Sequence, residues 1–330
     1  MHRIASAGQV VFLLVGFAVP VSAQAPVPSG CANAGPGVAA IFKVDVNLVL
    51  VDVGVHDEHG RAVGNLQQRD FHVFEDGKEQ QIRTFNHEEL PLAVALVIDN
   101  SSSIMAALEE LRAGALDTLS LLKPDDQVAI FSFGEKPEME DGLISDHAAL
   151  SEDLWALSPY GGTDIDGALY DAALYLGRAA PERRRAVILV SDNEPSEGGT
   201  RDLTQVVRAA LESGTPIYSI KVGNLQHSHT FFLTHSEARQ HDVEKACRQT
   251  GGELIDTRTG VTVSAAMEMV LKWLKQGYTL GYSPTNQRRD GTYRSIEVRL
   301  GEAAHQPGWH KYGVYARQGY YAPAAPKDVH

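Results

Sequence analysis

Asp99, Ser101 and Ser103 stand at alternate positions directly after an apolar run, Leu92-Ala93-Val94-Ala95-Leu96-Val97-Ile98. A carboxylate and two hydroxyls so spaced, on a turn between a strand and a helix, can converge on one small volume. Their oxygens are hard donors suited to Mg²⁺, which prefers octahedral oxygen coordination and keeps several waters. Two other segments carry oxygen donors at the same kind of junction. Tyr160-Gly161-Gly162-Thr163-Asp164 precedes a helical pattern, and Val190-Ser191-Asp192-Asn193-Glu194 ends an apolar strand. Each piece alone has an ordinary role, since Ser and Asp cap helices and Gly-Gly-Thr and Ser-Asp-Asn form turns.

The elements that must position these donors alternate strand with helix. Apolar strands read at Ala93–Ile98, Val128–Phe133, Ala186–Val190, Ile217–Val222 and Leu254–Ile255. Helical patterns lie at Ile104–Leu122, Ala148–Ala156, Asp166–Ala179, Asp202–Ser213, Val243–Thr250 and Val263–Lys275. Continuous apolar strands between amphipathic helices imply an α/β fold, a doubly wound, mainly parallel sheet covered on both faces. Ligands of such sheets bind beyond the carboxyl ends of the strands. On either side the texture is β: Phe42–Val55, Phe71–Phe74 and Gln81–Phe85 before, Tyr278–Tyr282, Tyr293–Leu300 and Lys311–Arg317 after. Neither β segment is long enough for a core of its own. They are expected to pack together as a flanking β-sandwich-like module, with the α/β unit inserted between them.

The three-part set of donors resembles the von Willebrand factor A domain and its metal-ion-dependent adhesion site, over about Leu90 to Gln276. The resemblance implies a Rossmann-like fold in which Asp99, Ser101, Ser103, Thr163 and Asp192 hold a divalent cation, Mg²⁺ with Mn²⁺ or Ca²⁺ as alternatives. Two positions depart from the family pattern: Ser102 replaces a glycine, and Asp192-Asn193 replaces Asp-Gly. The flanks, Asp70-Phe71-His72-Val73-Phe74-Glu75-Asp76-Gly77-Lys78 and Ala316-Arg317-Gln318-Gly319-Tyr320-Tyr321-Ala322, look like the exported VWFA-related family described from Acidobacteria. The implied boundaries are a signal peptide at 1–23, a linker at 24–41, β segments at 42–89 and 277–322 around the VWFA domain at 90–276, and a tail at 323–330.

Export is read from the residues themselves. Met1-His2-Arg3 is a short basic start, Val10 to Val19 an apolar stretch too short to span a bilayer, and Val21-Ser22-Ala23 an A-x-A-like cleavage site. The expected location is secreted or periplasmic, in the cell envelope, with no membrane insertion after cleavage. The 330 residues carry 29 Lys+Arg against 42 Asp+Glu, a net charge of −13, which argues against nucleic acid as a partner. The two cysteines, Cys31 and Cys247, permit a disulfide after export. The other reading is a linker thiol and a small buried residue on a helix.

The leading functional expectation is recognition, not catalysis: a partner protein offers an Asp or Glu carboxylate to the cation. The alternatives are an envelope scaffold whose cation only braces loops, and a metal-assisted hydrolase. Against the last, no Ser/His/Asp ordering or paired acid and base accompanies the motifs, and His87 and His147 are isolated. Asp164 and Asp166 favour the N-terminus of the following helix, and Tyr160 borders the site. His227, His229, His235 and His241 read better as a solvated stretch than as a second metal site. Trp155, Trp273 and Trp309 read as packing residues.

Overall fold

The computed structural model describes residues 48–102, 104, 108–157, 161–194, 200–223, 236–301 and 312–325. The expected signal peptide and linker, Cys31, Ser103, Tyr160, Trp309 and His227, His229 and His235 lie outside the described residues. So do the side chains of His147 and His241.

Strand β5 (Leu92–Asp99) is buried along its whole length and sits centrally in a six-stranded sheet. It pairs in parallel with β6 (Gln127–Phe133) on one side and β8 (Arg184–Ser191) on the other. Parallel strands β9 (Ile217–Lys221) and β10 (Leu254–Asp256) extend the sheet beyond β8. At the opposite edge β7 (Pro137–Ile144) runs antiparallel to β6 with two shifts of register. The doubly wound, mainly parallel sheet expected from the sequence is therefore present, with an antiparallel edge strand that the sequence reading did not anticipate.

Period-two alternation along β5 sends side chains to two separate cores. Leu92, Val94, Leu96 and Ile98 pack under α1 (Leu108–Ser120), α2 (His147–Ala156) and α6 (Val263–Lys275). Ala93, Ala95 and Val97 meet α3 (Ile165–Ala179), α4 (Leu203–Ser213) and α5 (Ser236–Thr250). Small residues on this second face let α3 lie close, through Ala168, Ala172 and Ala173. Cys247 of α5 is a free thiol, fully buried in this core. The helix expected from Ile104 is described only from Leu108, while Ser102 and Ile104 have 3₁₀ conformation. Among the described residues no helix is long and apolar enough to cross a membrane.

The remaining strands form two four-stranded sheets, ordered β13-β1-β11-β4 and β14-β12-β2-β3. Before the α/β unit come β1 (Val49–His56), β2 (Phe71–Glu75), β3 (Lys78–Gln80) and β4 (Ile82–Asn86). After it come β11 (Tyr278–Tyr282), β12 (Tyr293–Leu300), β13 (Gly313–Ala316) and β14 (Gly319–Tyr321). Val51 and Val53 of β1, Phe71 and Val73 of β2, Leu280 of β11 and Ile296 of β12 share one core, so the sheets pack face to face. N- and C-terminal segments thus build one sandwich, held at its centre by a buried polar cluster. Tyr282 and Tyr320 hydroxyls donate to Glu75 Oε2 at 2.7 and 2.9 Å, and the fully buried Arg294 lies 3.6 Å from Glu75 Oε1. Arg294 also donates to the backbone carbonyls of Asn286 and Arg288.

Polar and ring contacts bind the inserted unit to the sandwich. The Arg184 guanidinium, at the start of β8, donates to Leu274 O at 2.6 Å and to Thr279 Oγ1 at 3.1 Å. His56 is stacked between Trp273 of α6 and Tyr315 of β13, at ring-centroid distances of 3.9 and 4.1 Å. Trp273 Nε1 further donates to Gly60 O at 2.8 Å. Trp155, by contrast, is exposed and stacks with Arg112, so it is no core residue.

Burial holds the His56 ring at about 4, against the opposing charge of Asp57. Between the unfolded value near 6.5 and about 4, the unfolded chain takes a proton that the folded chain refuses. Stability is thus full above this window and lost as pH falls through it, by about 3 kcal/mol for this group. The Glu253 carboxylate, 3.6 Å from His56, is pushed up by burial and works in the opposite direction. Comparing urea midpoints from pH 7 to pH 4, His56→Gln is expected to flatten the acid loss, because Glu253 remains in both proteins. Glu75→Ala should cost about 3–5 kcal/mol in the same assay, since it strands a buried arginine.

Candidate metal centre

The order of strands places the candidate donors. From β5 the chain crosses to β6 on one side and later returns to β8 on the other, so the loops after β5 and β8 diverge. Such a divergence leaves a crevice beyond the carboxyl ends. Asp99 is the last residue of β5 and is fully buried. Its Oδ1 accepts from the Ser101 amide at 2.9 Å, which folds the turn back so that Ser101 follows it into the interior. The Asn100 amide donates to Phe133 O at 2.8 Å, anchoring the turn to the end of β6.

Thr163 reaches the same region from another loop. The Asp164 amide donates to Gly134 O at 2.9 Å, one residue past that anchor, and Thr163 is buried beside it. The loop needs its glycine: Gly161 has φ of +73°, and a Cβ there would lie 2.9 Å from Glu135 Cγ. Asp164 is committed elsewhere. Its Oδ1 accepts from the Gly167 amide at 3.0 Å as the cap of α3, and its Oδ2 accepts from Thr200 Oγ1 at 2.7 Å. Asp166 lies in the first turn of α3, where negative charge is favoured.

Asp192 follows β8 directly. One oxygen, Oδ1, accepts from the Glu194 amide at 3.0 Å, and the other, Oδ2, is buried without a hydrogen-bond partner among the described residues. The next residue, Asn193, has φ of +59°, a left-handed conformation that asparagine tolerates better than most residues. Its side-chain amide donates to Ser219 Oγ at 2.9 Å, which holds that turn against β9. Ser102 needs no glycine in the described conformation; Asp76 and Asn193 are the non-glycine residues of positive φ among the described residues.

One residue outside the expected set joins the two carboxylate loops. Ser191 Oγ donates to Asp99 Oδ2 at 2.5 Å and accepts from the Asn193 amide at 3.0 Å. A hydroxyl closing an otherwise apolar strand, one position before Asp192, was the available signal. Burial pushes the Asp99 carboxyl up to about 6, against the hydrogen bonds from Ser101 and Ser191, and the charge of Asp192 raises it further. Lys221, at the end of β9, is buried nearby; burial and the Arg258 charge lower its amine, while Asp256, Glu194 and Asp192 oppose them.

Two buried carboxylates that repel one another, an anionic oxygen with no donor, and neighbouring hydroxyls form a donor set that fits a small, hard divalent cation. Asp99, Ser101, Thr163 and Asp192 can hold it; Ser103 lies outside the described residues. The set is built of hydroxyls as much as carboxylates. Among the described residues no group of three or more His, Cys, Asp or Glu is placed to hold a metal ion.

Residues 94–194 match the family model of the von Willebrand factor type A domain. Among solved structures, the chain is similar to a von Willebrand factor type A protein from Catenulispora acidiphila. That match has 12% identity, covers 80% of this chain and 76% of that one, and has a TM-score of 0.48. It is also similar to the conserved hypothetical protein BatB from Bacteroides thetaiotaomicron, with 19% identity, 56% and 99% coverage and a TM-score of 0.44. A third is proximal thread matrix protein 1 from the mussel byssus with a zinc-occupied MIDAS motif, with 20% identity, 61% and 49% coverage and a TM-score of 0.46.

Stability measured with and without cation tests the donor set. Saturating Mg²⁺, at about 100 times its Kd, should stabilise the wild type by about 2.7 kcal/mol relative to EDTA. Asp192→Asn removes the unpartnered anion, so it should match or exceed wild-type stability in EDTA and gain nothing from Mg²⁺. Equal gains in the two proteins would contradict the assignment.

Proposed function

We propose that the chain is an exported recognition module that captures a partner protein through a divalent cation held by Asp99, Ser101, Ser103, Thr163 and Asp192. Mg²⁺ is the favoured ion, with Mn²⁺ or Ca²⁺ as alternatives, because every donor is a hard oxygen. The observation that carries this reading is the buried, unpartnered Asp192 Oδ2 beside the buried Asp99 carboxyl. When bound, the cation supplies an electrophilic position that an Asp or Glu oxygen of the partner can fill. The protein's own residues orient that position: Ser191 fixes the Asp99 carboxylate, Asn193 fixes the turn carrying Asp192, and Asp164 fixes the helix behind Thr163.

Recognition is favoured over hydrolysis by the surroundings. His87, isolated in the sequence, is stacked on Tyr278 in the sandwich at 4.4 Å, with Nδ1 3.3 Å from Gly277 O. The cell envelope or its exterior is the proposed location, from the basic, apolar and small-residue order of residues 1–23. The net charge of −13 speaks for a protein partner over nucleic acid.

Chemical cross-linking in native envelopes, followed by affinity capture, tests the reading. A discrete partner should be recovered in Mg²⁺, lost in EDTA and lost with Asp99→Ala or Thr163→Ala. Capture indifferent to chelation and to both substitutions would overturn it.

A further inference from the structure

A cleft of about 570 Å³ opens at the end of the α/β sheet opposite the candidate metal centre, where the strands begin. One wall is the outer face of the sandwich sheet containing β1. Alternation turns the valines of β1 into the sandwich core and leaves Leu50, Asp52 and the preceding Leu48 facing the cleft. The other wall is the start of β8 with the turn after α4. The size falls within the range of small-molecule sites, which favour the junction of two packed units.

The charge lining this cleft runs against that of the chain. Arg183, Arg184, Arg185 and Arg317 face three carboxylates, Asp52, Glu182 and Glu212, in a protein whose net charge is −13. Arg184 is spent on tying α6 and β11 together. Arg317 and Arg185 are satisfied only in part. Arg317 donates Nη2 to Leu50 O at 2.5 Å, but its Nε is buried without an acceptor among the described residues. Arg185 gives Nε to Ser213 O and Nη1 to the carbonyls of Ala180 and Pro181. All these acceptors are neutral carbonyls, and among the described residues no carboxylate lies within ion-pair distance of either guanidinium. Burial lowers both guanidinium groups, and the more distant charges of Asp52 and Glu182 on Arg185, and of Asp52 on Arg317, oppose it without cancelling it.

We propose that the cleft binds an organic monoanion with an apolar body, its carboxylate seated on Arg317 and its body against Leu48, Leu50 and Leu211. Four cations against three anions leave about one positive charge to neutralise, which selects a monoanion over a phosphate-rich ligand. The half-exposed Leu50, 52% accessible, supplies apolar surface that the fold itself leaves uncovered. Gly281, paired with Leu50 across β1 and β11, keeps the sheet low there: a Cβ would sit 3.1 Å from Leu50 Cδ2.

Isothermal titration of the full chain with decanoate, kept monomeric in solution, tests the proposal, with decanol and decyltrimethylammonium as controls. Decanoate should bind one per chain, more tightly than either control and equally in Mg²⁺ and in EDTA. Arg317→Met should weaken it about tenfold or more, as expected for loss of a hydrogen-bonded charge. Leu50→Glu, at an exposed position that leaves the fold intact, should abolish it. Absence of decanoate binding, decanol binding as tightly, or unchanged affinity in Leu50→Glu would overturn the proposal. Should Arg317→Met melt early, Leu50→Glu and the controls still decide.

Discussion

Two carboxylates are held out of water at the ends of neighbouring parallel strands, and much of the structure serves to hold them there. Asp99 cannot turn to water, because β5 is buried on both faces and its carboxylate is tied to Ser101 and Ser191. Asp192 keeps one buried oxygen without a donor among the described residues. Burying an unpaired polar or charged group is costly, and such groups persist where something else compensates. A cation between them accounts for the hydroxyls of Ser101 and Thr163, the Ser191 bridge and the left-handed Asn193 in one step.

The sandwich contains a useful contrast. Glu75 is just as buried, yet it faces Arg294 and receives two tyrosine hydroxyls, so its charge is answered within the chain. The two sites use the same kind of group with opposite outcomes: one closed and structural, the other left incomplete. His56, clasped by Trp273 and Tyr315, joins these halves, because the first belongs to the α/β unit and the second to the sandwich.

The α/β unit was readable because its signals are long and local. Leu92–Ile98 could hardly be anything but a strand covered on both faces, and the glycine pair before Thr163 marks its loop. The edge strand β7 was not readable. Pro137-Glu138-Met139-Glu140-Asp141-Gly142 shows no alternation, and its shifted register with β6 removes the period on which such a reading depends. Ser191 was passed over because a hydroxyl at a strand end has many ordinary roles; only the fold brings it to 2.5 Å from Asp99. Arg294 left a clearer trace, sharing a face with Ile296 and Val298, but the sequence could not show that Glu75 waits opposite. The arginine cleft was invisible for a related reason. Arg185 and Arg317 are 132 positions apart and meet a common space only when the terminal β segments pair.

Anomalous diffraction from crystals grown with Mn²⁺ would test the central claim most directly, since the ion reports its own position. One strong peak is expected within bonding distance of Asp99, Ser101, Thr163 and Asp192 oxygens. A peak held by other residues, or an intact crevice with no peak while Mn²⁺ saturates the crystal, would contradict it.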